Sequence, residues 1–457
     1  MNVHNKALSS LSASEAAQRI REESITSVEL VEACIEQISR LDSTLGAWET
    51  VNSQEALESA RLADKEAKNK ISAKPLQGVP VGIKDIFNTA GLATKRGSPI
   101  YQDHVPTEDA TCISLLRAAG AIILGKTVTT EFATTDPALT LNPWDSACTP
   151  GGSSTGSAVA VATQMCPVAL GSQTSGSTLR PASYNGIVGL KPSYGRISRW
   201  GVFPVAWTLD TIGILSRSVE DAALFLQVMA NHDPRDIFSS HEPVPDYTTE
   251  MIQQASHSPR IGFARGLFWD LATPEVRTHT LEVLKELERS GATIQEINLP
   301  DHFPSSLDAQ ATIMATEAAA VHHETFAARP EDYGPLISGL LTTGALKSGV
   351  EYLQAQQYRP RLRREVLERF EGLDALLTPT TPSTAPRDLA STGDRTFQSP
   401  WTFLGLPTIA LPTGISQSGL PLSVQIIGKM FEEGTLLGIA RWCEQALDVT
   451  VSPPLIG

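Results

Sequence analysis

The stretch that decides the reading is Thr149-Pro-Gly-Gly-Ser-Ser-Thr-Gly-Ser157, followed by the small-residue run Ala158-Val-Ala-Val-Ala-Thr163. Gly151 and Gly152 permit backbone conformations that other residues cannot reach. The Ala/Val run reads as a closely packed helix, and a serine at its N-terminus sits among exposed N–H donors. A second segment of the same texture follows, Gly171-Ser-Gln-Thr-Ser-Gly-Ser177 and then Thr-Leu-Arg-Pro181. Small residues around Ser177 leave backbone N–H groups accessible, as acyl transfer requires near a nucleophile. Either segment alone is also readable as a simple tight turn. Neither carries the lysine of a GxxxxGK[ST] phosphate loop, so nothing here points to a nucleotide.

Working outward, the upstream stretch Pro75-Leu-Gln-Gly-Val-Pro-Val-Gly-Ile-Lys-Asp85 places Lys84 at the end of an apolar strand. Burial disfavours the charged ammonium, and a neutral lysine can act as a general base. The alternative is a structural ion-pair lysine with Asp85 as neighbour. Short apolar runs at 79–83, 121–124 and 168–170 alternate with helix-like stretches at 112–119 and 156–163. That alternation indicates an α/β/α sandwich around a mixed, mostly parallel central sheet.

The chain reads as one large domain in four parts. Residues 1–74 are N-terminal helices, with Ser14 and Ser27 as candidate caps and a third helix over 54–69. Residues 75–230 form the core. Residues 231–372 are variable in texture, with a strand at 260–264 and helices at 274–290, 309–328 and 354–370. Residues 373–457 bring strands at 375–377, 408–411 and 422–427 that rejoin the core sheet.

Composition sets outer bounds. Of 457 residues, 41% are hydrophobic, which supplies a large core without disulfide staples. The net charge of −14 argues against non-specific nucleic-acid binding. The five cysteines lack CxxC spacing and read as reduced intracellular thiols. The opening Met-Asn-Val-His-Asn-Lys has no apolar signal segment, and no apolar run reaches bilayer length, so the expected location is the cytoplasm and no membrane contact is expected.

Ser153 and Ser177 lie 24 positions apart. Together with Gly78-Val-Pro-Val-Gly-Ile-Lys-Asp85, the run from Pro150 to Ser198 ending Gly189-Leu-Lys-Pro-Ser-Tyr-Gly-Arg-Ile-Ser198, and Trp207-Thr-Leu-Asp-Thr-Ile-Gly213, this spacing resembles the amidase signature family. The resemblance covers residues 75–222 and a tail from Gly405 to Gly428.

The resemblance implies Lys84 as base, Ser153 as relay after a cis Gly152–Ser153 bond, and Ser177 as nucleophile. The N–H groups of Thr174, Ser175, Gly176 and Ser177 would form the oxyanion hole. Ser154 is a further substrate-contact candidate. Proton transfer from Ser177 through Ser153 to neutral Lys84, then back to the leaving nitrogen, gives a Ser–Lys variant of triad logic without histidine. No metal or organic cofactor is implied. The pair His322-His323 does not share one helix face, which argues against a metal site with Glu324. The resemblance also implies homodimers and a pocket formed by 130–135 together with the divergent middle.

The chain departs from the usual Gly-Thr-Asp-x-Gly-Gly-Ser-Ile-Arg pattern. Gln173 replaces the aspartate, and Arg180 sits three residues after Ser177 rather than two. A malonamidase-like subgroup shares this arrangement, and there the arginine binds a substrate carboxylate. Arg180 is accordingly a candidate carboxylate receptor or, alternatively, an arginine bonded to backbone carbonyls. Cys148 stands where Arg or His is common, and an inert packing role is expected for it.

Two functions follow. The first is a free-standing amidase releasing ammonia or an amine from a small-molecule amide. The second is a glutaminase-type amidotransferase subunit that needs a partner chain. The changes around Ser177 rank the first ahead of the second.

Overall fold

The computed structural model describes residues 7–68 and 74–456. The readings made on the first six residues and on the end of the 54–69 helix lie outside the described residues. Eleven strands form one continuous sheet. They are β1 (Trp48–Val51), β2 (Pro80–Lys84), β3 (Ile122–Thr127), β4 (Val168–Gln173), β5 (Val188–Lys191), β6 (Thr211–Ser216), β7 (Arg260–Ala264), β8 (Thr293–Ile297), β9 (Ala375–Pro379), β10 (Thr408–Ile415) and β11 (Pro421–Ile427). Their spatial order is β1-β3-β2-β4-β6-β5-β10-β11-β9-β7-β8. The late strands therefore join the core sheet directly, and the 231–372 region adds β7 and β8 at its far edge.

The sheet is mixed, but parallel pairing does not dominate it. Parallel neighbours are confined to β3-β2-β4 and to β9-β7-β8. Every other pairing is antiparallel. The connections explain the difference. A parallel pair needs a long crossover, whereas β10 and β11 are joined by a tight turn closed at Ser416–Gly419, which only antiparallel strands accept.

The N-terminal helices start one or two residues earlier than their expected caps. Ser12, not Ser14, caps the helix Ala13–Arg21. Thr26, not Ser27, caps Ser27–Leu45, forming a capping box with Glu29. Thr26 wins because Glu29 stands at the reciprocal position, and the Ser27 N–H turns to Asp64 instead.

The Ala/Val run does form a helix, Thr155–Ala162, and all eight residues are buried. It packs against β2, β3 and β4. Its small residues are required: a Cβ on Gly156 would lie 2.1 Å from the Ala47 carbonyl oxygen. This close seat fixes the height of the Gly151–Ser154 turn above the sheet.

Candidate active site

β2 and β4 are parallel neighbours, and their carboxyl ends deliver the polar groups of the site. β2 is buried along its whole length, so its terminal Lys84 enters the interior instead of solvent. β4 ends in Ser172 and Gln173. The turn before the Thr155–Ala162 helix adds Ser153 and Ser154. Gly151 in that turn has φ +78°, and a Cβ there would meet the Pro181 backbone at 2.9 Å. The Gly152–Ser153 peptide is cis.

These three sources converge on one amine. Lys84 Nζ lies 2.7 Å from Ser153 Oγ, 2.8 Å from Ser172 Oγ and 3.2 Å from Ser154 Oγ. No carboxylate pairs with it among the described residues. Complete burial therefore holds its pKa well below the ordinary lysine value, opposed only by the more distant charge of Asp210. The Asp85 alternative is excluded by geometry, because Asp85 pairs with Lys126 at 3.3 Å and accepts the N–H groups of Lys95 and Arg96.

Ser177 follows β4 on a loop before the helix Leu179–Asn185. That loop is fixed from several sides. Gln173 Oε1 accepts the N–H groups of Thr178 and Leu179, at 2.9 and 3.0 Å. Its Nε2 donates to Thr402 Oγ1, which in turn donates to the Ser175 carbonyl at 2.7 Å. A carboxylate at Gln173 could accept the two N–H groups but could not donate to Thr402. Gln310, from the divergent middle, donates to the Thr174 carbonyl and to Ser175 Oγ, at 3.1 and 2.6 Å. The Thr174 hydroxyl donates to Asp210 at 2.5 Å. Desolvation pushes Asp210 up to about 6, moderated by that hydrogen bond and by Arg199.

Among the described residues, the N–H groups of Thr174, Ser175, Gly176 and Ser177 donate to no protein acceptor. A Cβ at Gly176 would lie 2.5 Å from Gln398 Oε1, so glycine is needed there for the loop to seat. Ser177 opens into a cleft of ≈ 760 Å³. Ser153 Oγ and Ser177 Oγ are not hydrogen-bonded to one another; the link between the two segments is Ser154 N–H to the Ser177 carbonyl, 3.2 Å.

Other expected residues fall as follows. Ser154 does not reach the cleft. Its hydroxyl is buried against Lys84 and the Ser172 backbone, which corrects the expectation that it meets substrate. Arg180 donates to the carbonyls of Gly393 (2.7 Å) and Gly152 (2.6 Å) and to the Thr392 hydroxyl (2.9 Å), the arrangement of the backbone-bonded alternative. Cys148 is buried with Tyr184, Ala385 and Leu420, away from the cleft. His322 turns inward to Tyr333 at 3.0 Å and packs on Phe132, whereas His323 and Glu324 are exposed.

The 130–135 loop contributes Ala133, Thr134 and Thr135 to the cleft. The divergent middle contributes Ala311, Met314, Ala315, Leu336 and Leu340. Sequence reasoning missed the loop at 390–396, which closes the cleft and carries Arg395. It also missed Ser172 and Gln310. A polar residue closing a strand beside Lys84 is a signal for Ser172; nothing in the local pattern marks Gln310 or Arg395.

Comparison with known proteins fits this geometry. The model of the family described as Amidase matches residues 29–437. The chain belongs to the amidase family. Its members' shared chemistry makes it an enzyme of carboxamide C–N bonds. The amidase-family subunit of glutamyl-tRNA(Gln) amidotransferase from Anaeromyxobacter sp. (strain K) is 37% identical, covering 99% of this chain and all of the relative. The same subunit of Carboxydothermus hydrogenoformans is also 37% identical, over 95% of this chain and 97% of the relative. Among solved structures, a chain of a vestigial protein complex tied to the origins of an s-triazine catabolic enzyme superposes with TM-score 0.90 at 30% identity, covering 96% of this chain and 99% of that one. Native peptide amidase from Stenotrophomonas maltophilia superposes with TM-score 0.88 at 29% identity, covering 98% and 99%.

These relatives correct the ranking drawn from the motifs. A free-standing amidase came first there because of the changes at Gln173 and Arg180. Similarity to the amidotransferase subunits spans essentially the whole chain, including 231–370, where no motif was legible. Two local changes weigh less than that. Among the described residues, no helix is long and apolar enough to cross a membrane.

Proposed function

We propose that the chain is the amide-hydrolysing subunit of an amidotransferase-type assembly, releasing ammonia from a glutamine-like carboxamide for use with a partner chain. The full-length similarity to the glutamyl-tRNA(Gln) amidotransferase subunits carries this reading. The site supplies the chemistry. Neutral Lys84 is the base, Ser153 the relay and Ser177 the nucleophile. A rotation of the Ser153 or Ser177 side chain brings the two hydroxyls together once substrate is seated. Ser177 Oγ attacks the carbonyl carbon, and the developing oxyanion meets the free N–H groups of 174–177. The proton held at Lys84 returns through Ser153 to the departing nitrogen, and water then cleaves the Ser177 ester.

The test is to purify the tagged full-length chain from its own cells with whatever it retains, and to supply glutamine labelled with ¹⁵N in the side-chain amide. Ammonia release that vanishes in Ser177→Ala, with label transferred to glutamyl-tRNA(Gln) when ATP is present, supports the reading. Equal release by Ser177→Ala, or none from any preparation, refutes it.

A further inference from the structure

The cleft above Ser177 has a cation without a counter-ion. Its lining contains two arginines, Arg180 and Arg395, and a single carboxylate, Asp394. Arg180 is already committed to two carbonyls and a hydroxyl. Arg395 is different. Among the described residues, its guanidinium has no carboxylate within ion-pair distance, and its one side-chain contact is Met314 Sδ at 3.8 Å. Asp394 is exposed, and one of its oxygens accepts the Thr396 N–H at 2.7 Å. Desolvation lowers the pKa of Arg395, with Asp394 opposing the shift. A partly desolvated guanidinium without a protein partner is the geometry that receives a ligand carboxylate, by a charge-assisted and often bidentate contact. The facing wall of Ala311, Met314, Ala315, Leu336 and Leu340 is apolar and suits a short methylene chain.

We infer that Arg395 is the specificity-determining residue of this site, and that it receives a carboxylate carried on the aliphatic chain of the amide substrate. The inference rests on the reading of Ser177 as the nucleophile, because only then do the amide and the carboxylate lie at opposite ends of one cleft. Arg395 belongs here to substrate binding and not to bond cleavage. Its main-chain carbonyl accepts from Gln398 and Ser399, so the loop keeps its fold when the side chain changes.

The experiment is calorimetric titration of the full-length Ser177→Ala chain with glutaramate and with neutral glutaramide. The same titrations follow in Arg395→Gln and Arg395→Lys, with melting curves as the folding control. The expected result is glutaramate binding at least tenfold tighter than glutaramide, with Arg395→Gln removing that preference while glutaramide binding stays unchanged. Arg395→Lys should restore part of the preference. Equal binding of the two ligands, binding of neither, or a preference that survives Arg395→Gln overturns the inference. In parallel, the unsubstituted chain is treated with a fluorophosphonate. Failure to label Ser177 defeats the nucleophile assignment on its own, whatever the titrations show.

Discussion

The buried surroundings of Lys84 and the outer wall of the cleft are built on opposite rules. Around Lys84, three serine hydroxyls and a network of amide side chains occupy a fully enclosed space, and nearly every polar atom has a named partner. The wall contributed by residues 311–340 and 390–396 is mostly apolar, with one uncommitted cation. Reaction chemistry demands fixed positions and a tuned base, so its residues come from strand ends and a close-packed helix. Substrate selection tolerates change, so its residues come from segments that only border the core.

The largest expected effect lies in the first region. Ser177→Ala and Lys84→Ala should each lower amide turnover by roughly 10⁵-fold or more, as removing one member of a concerted nucleophile–base unit does. Single-turnover ammonia release measures it. Residual activity within tenfold of the unsubstituted chain would break the assignment of these residues. Lys126 sharpens the point, because it is an equally buried lysine on the adjacent strand β3. It pairs with Asp85 and bonds to the Phe87 carbonyl and the Thr94 hydroxyl. Lys126→Ala strands the Asp85 charge and should cost about 3–5 kcal/mol of stability in denaturant unfolding. A loss of turnover in Lys126→Ala with unchanged stability would mean that the two lysines have been given each other's roles.

Gln310 is where the two regions meet. It sits on the helix Ser306–Ala328 of the divergent middle, yet it holds the Thr174 carbonyl and the Ser175 hydroxyl of the oxyanion loop. Gln310→Ala should lower kcat by about 10²-fold, with a smaller change in KM, because it shifts the donors and not the substrate wall. A change confined to KM would place Gln310 with the wall instead.

This division also explains what the sequence could disclose. Lys84, Ser153 and Ser177 were legible because tight turns and strand ends impose glycine, serine and proline at fixed spacings. The continuous sheet was legible from alternating apolar runs, but its strand directions were not. β5, β6 and β10 are short and fully or largely buried, and burial alone does not orient a strand. Arg395 and Gln310 were invisible because a long loop and an amphipathic helix accept many residues at any one position. Only the fold brings them within reach of Ser177. The ranking of the two functions failed for the same reason: it weighed changes beside the nucleophile and had no reading of the middle region.

Asp210 offers the finest test of the buried network. It touches neither Ser177 nor Lys84 directly, but bonds the Thr174 hydroxyl and the N–H groups of Val205 and Ala206. Its pKa is raised to about 6, so it is ionised above that pH and takes up a proton as the pH falls through it. Its negative charge raises the pKa of Lys84 and thereby opposes the neutral amine needed as base. Removing the charge therefore increases the neutral fraction of Lys84 at a given pH. In Asp210→Asn, the acid limb of the kcat/KM profile should move to lower pH, and the inflection near 6 that belongs to Asp210 should disappear. Loss of the carboxylate acceptor for Thr174 should lower the plateau about tenfold at most, since the hydrogen bond can persist to the asparagine carbonyl oxygen. An acid limb that moves upward would show that the Asp210 charge supports the base instead of opposing it, and that Lys84 works as the ammonium.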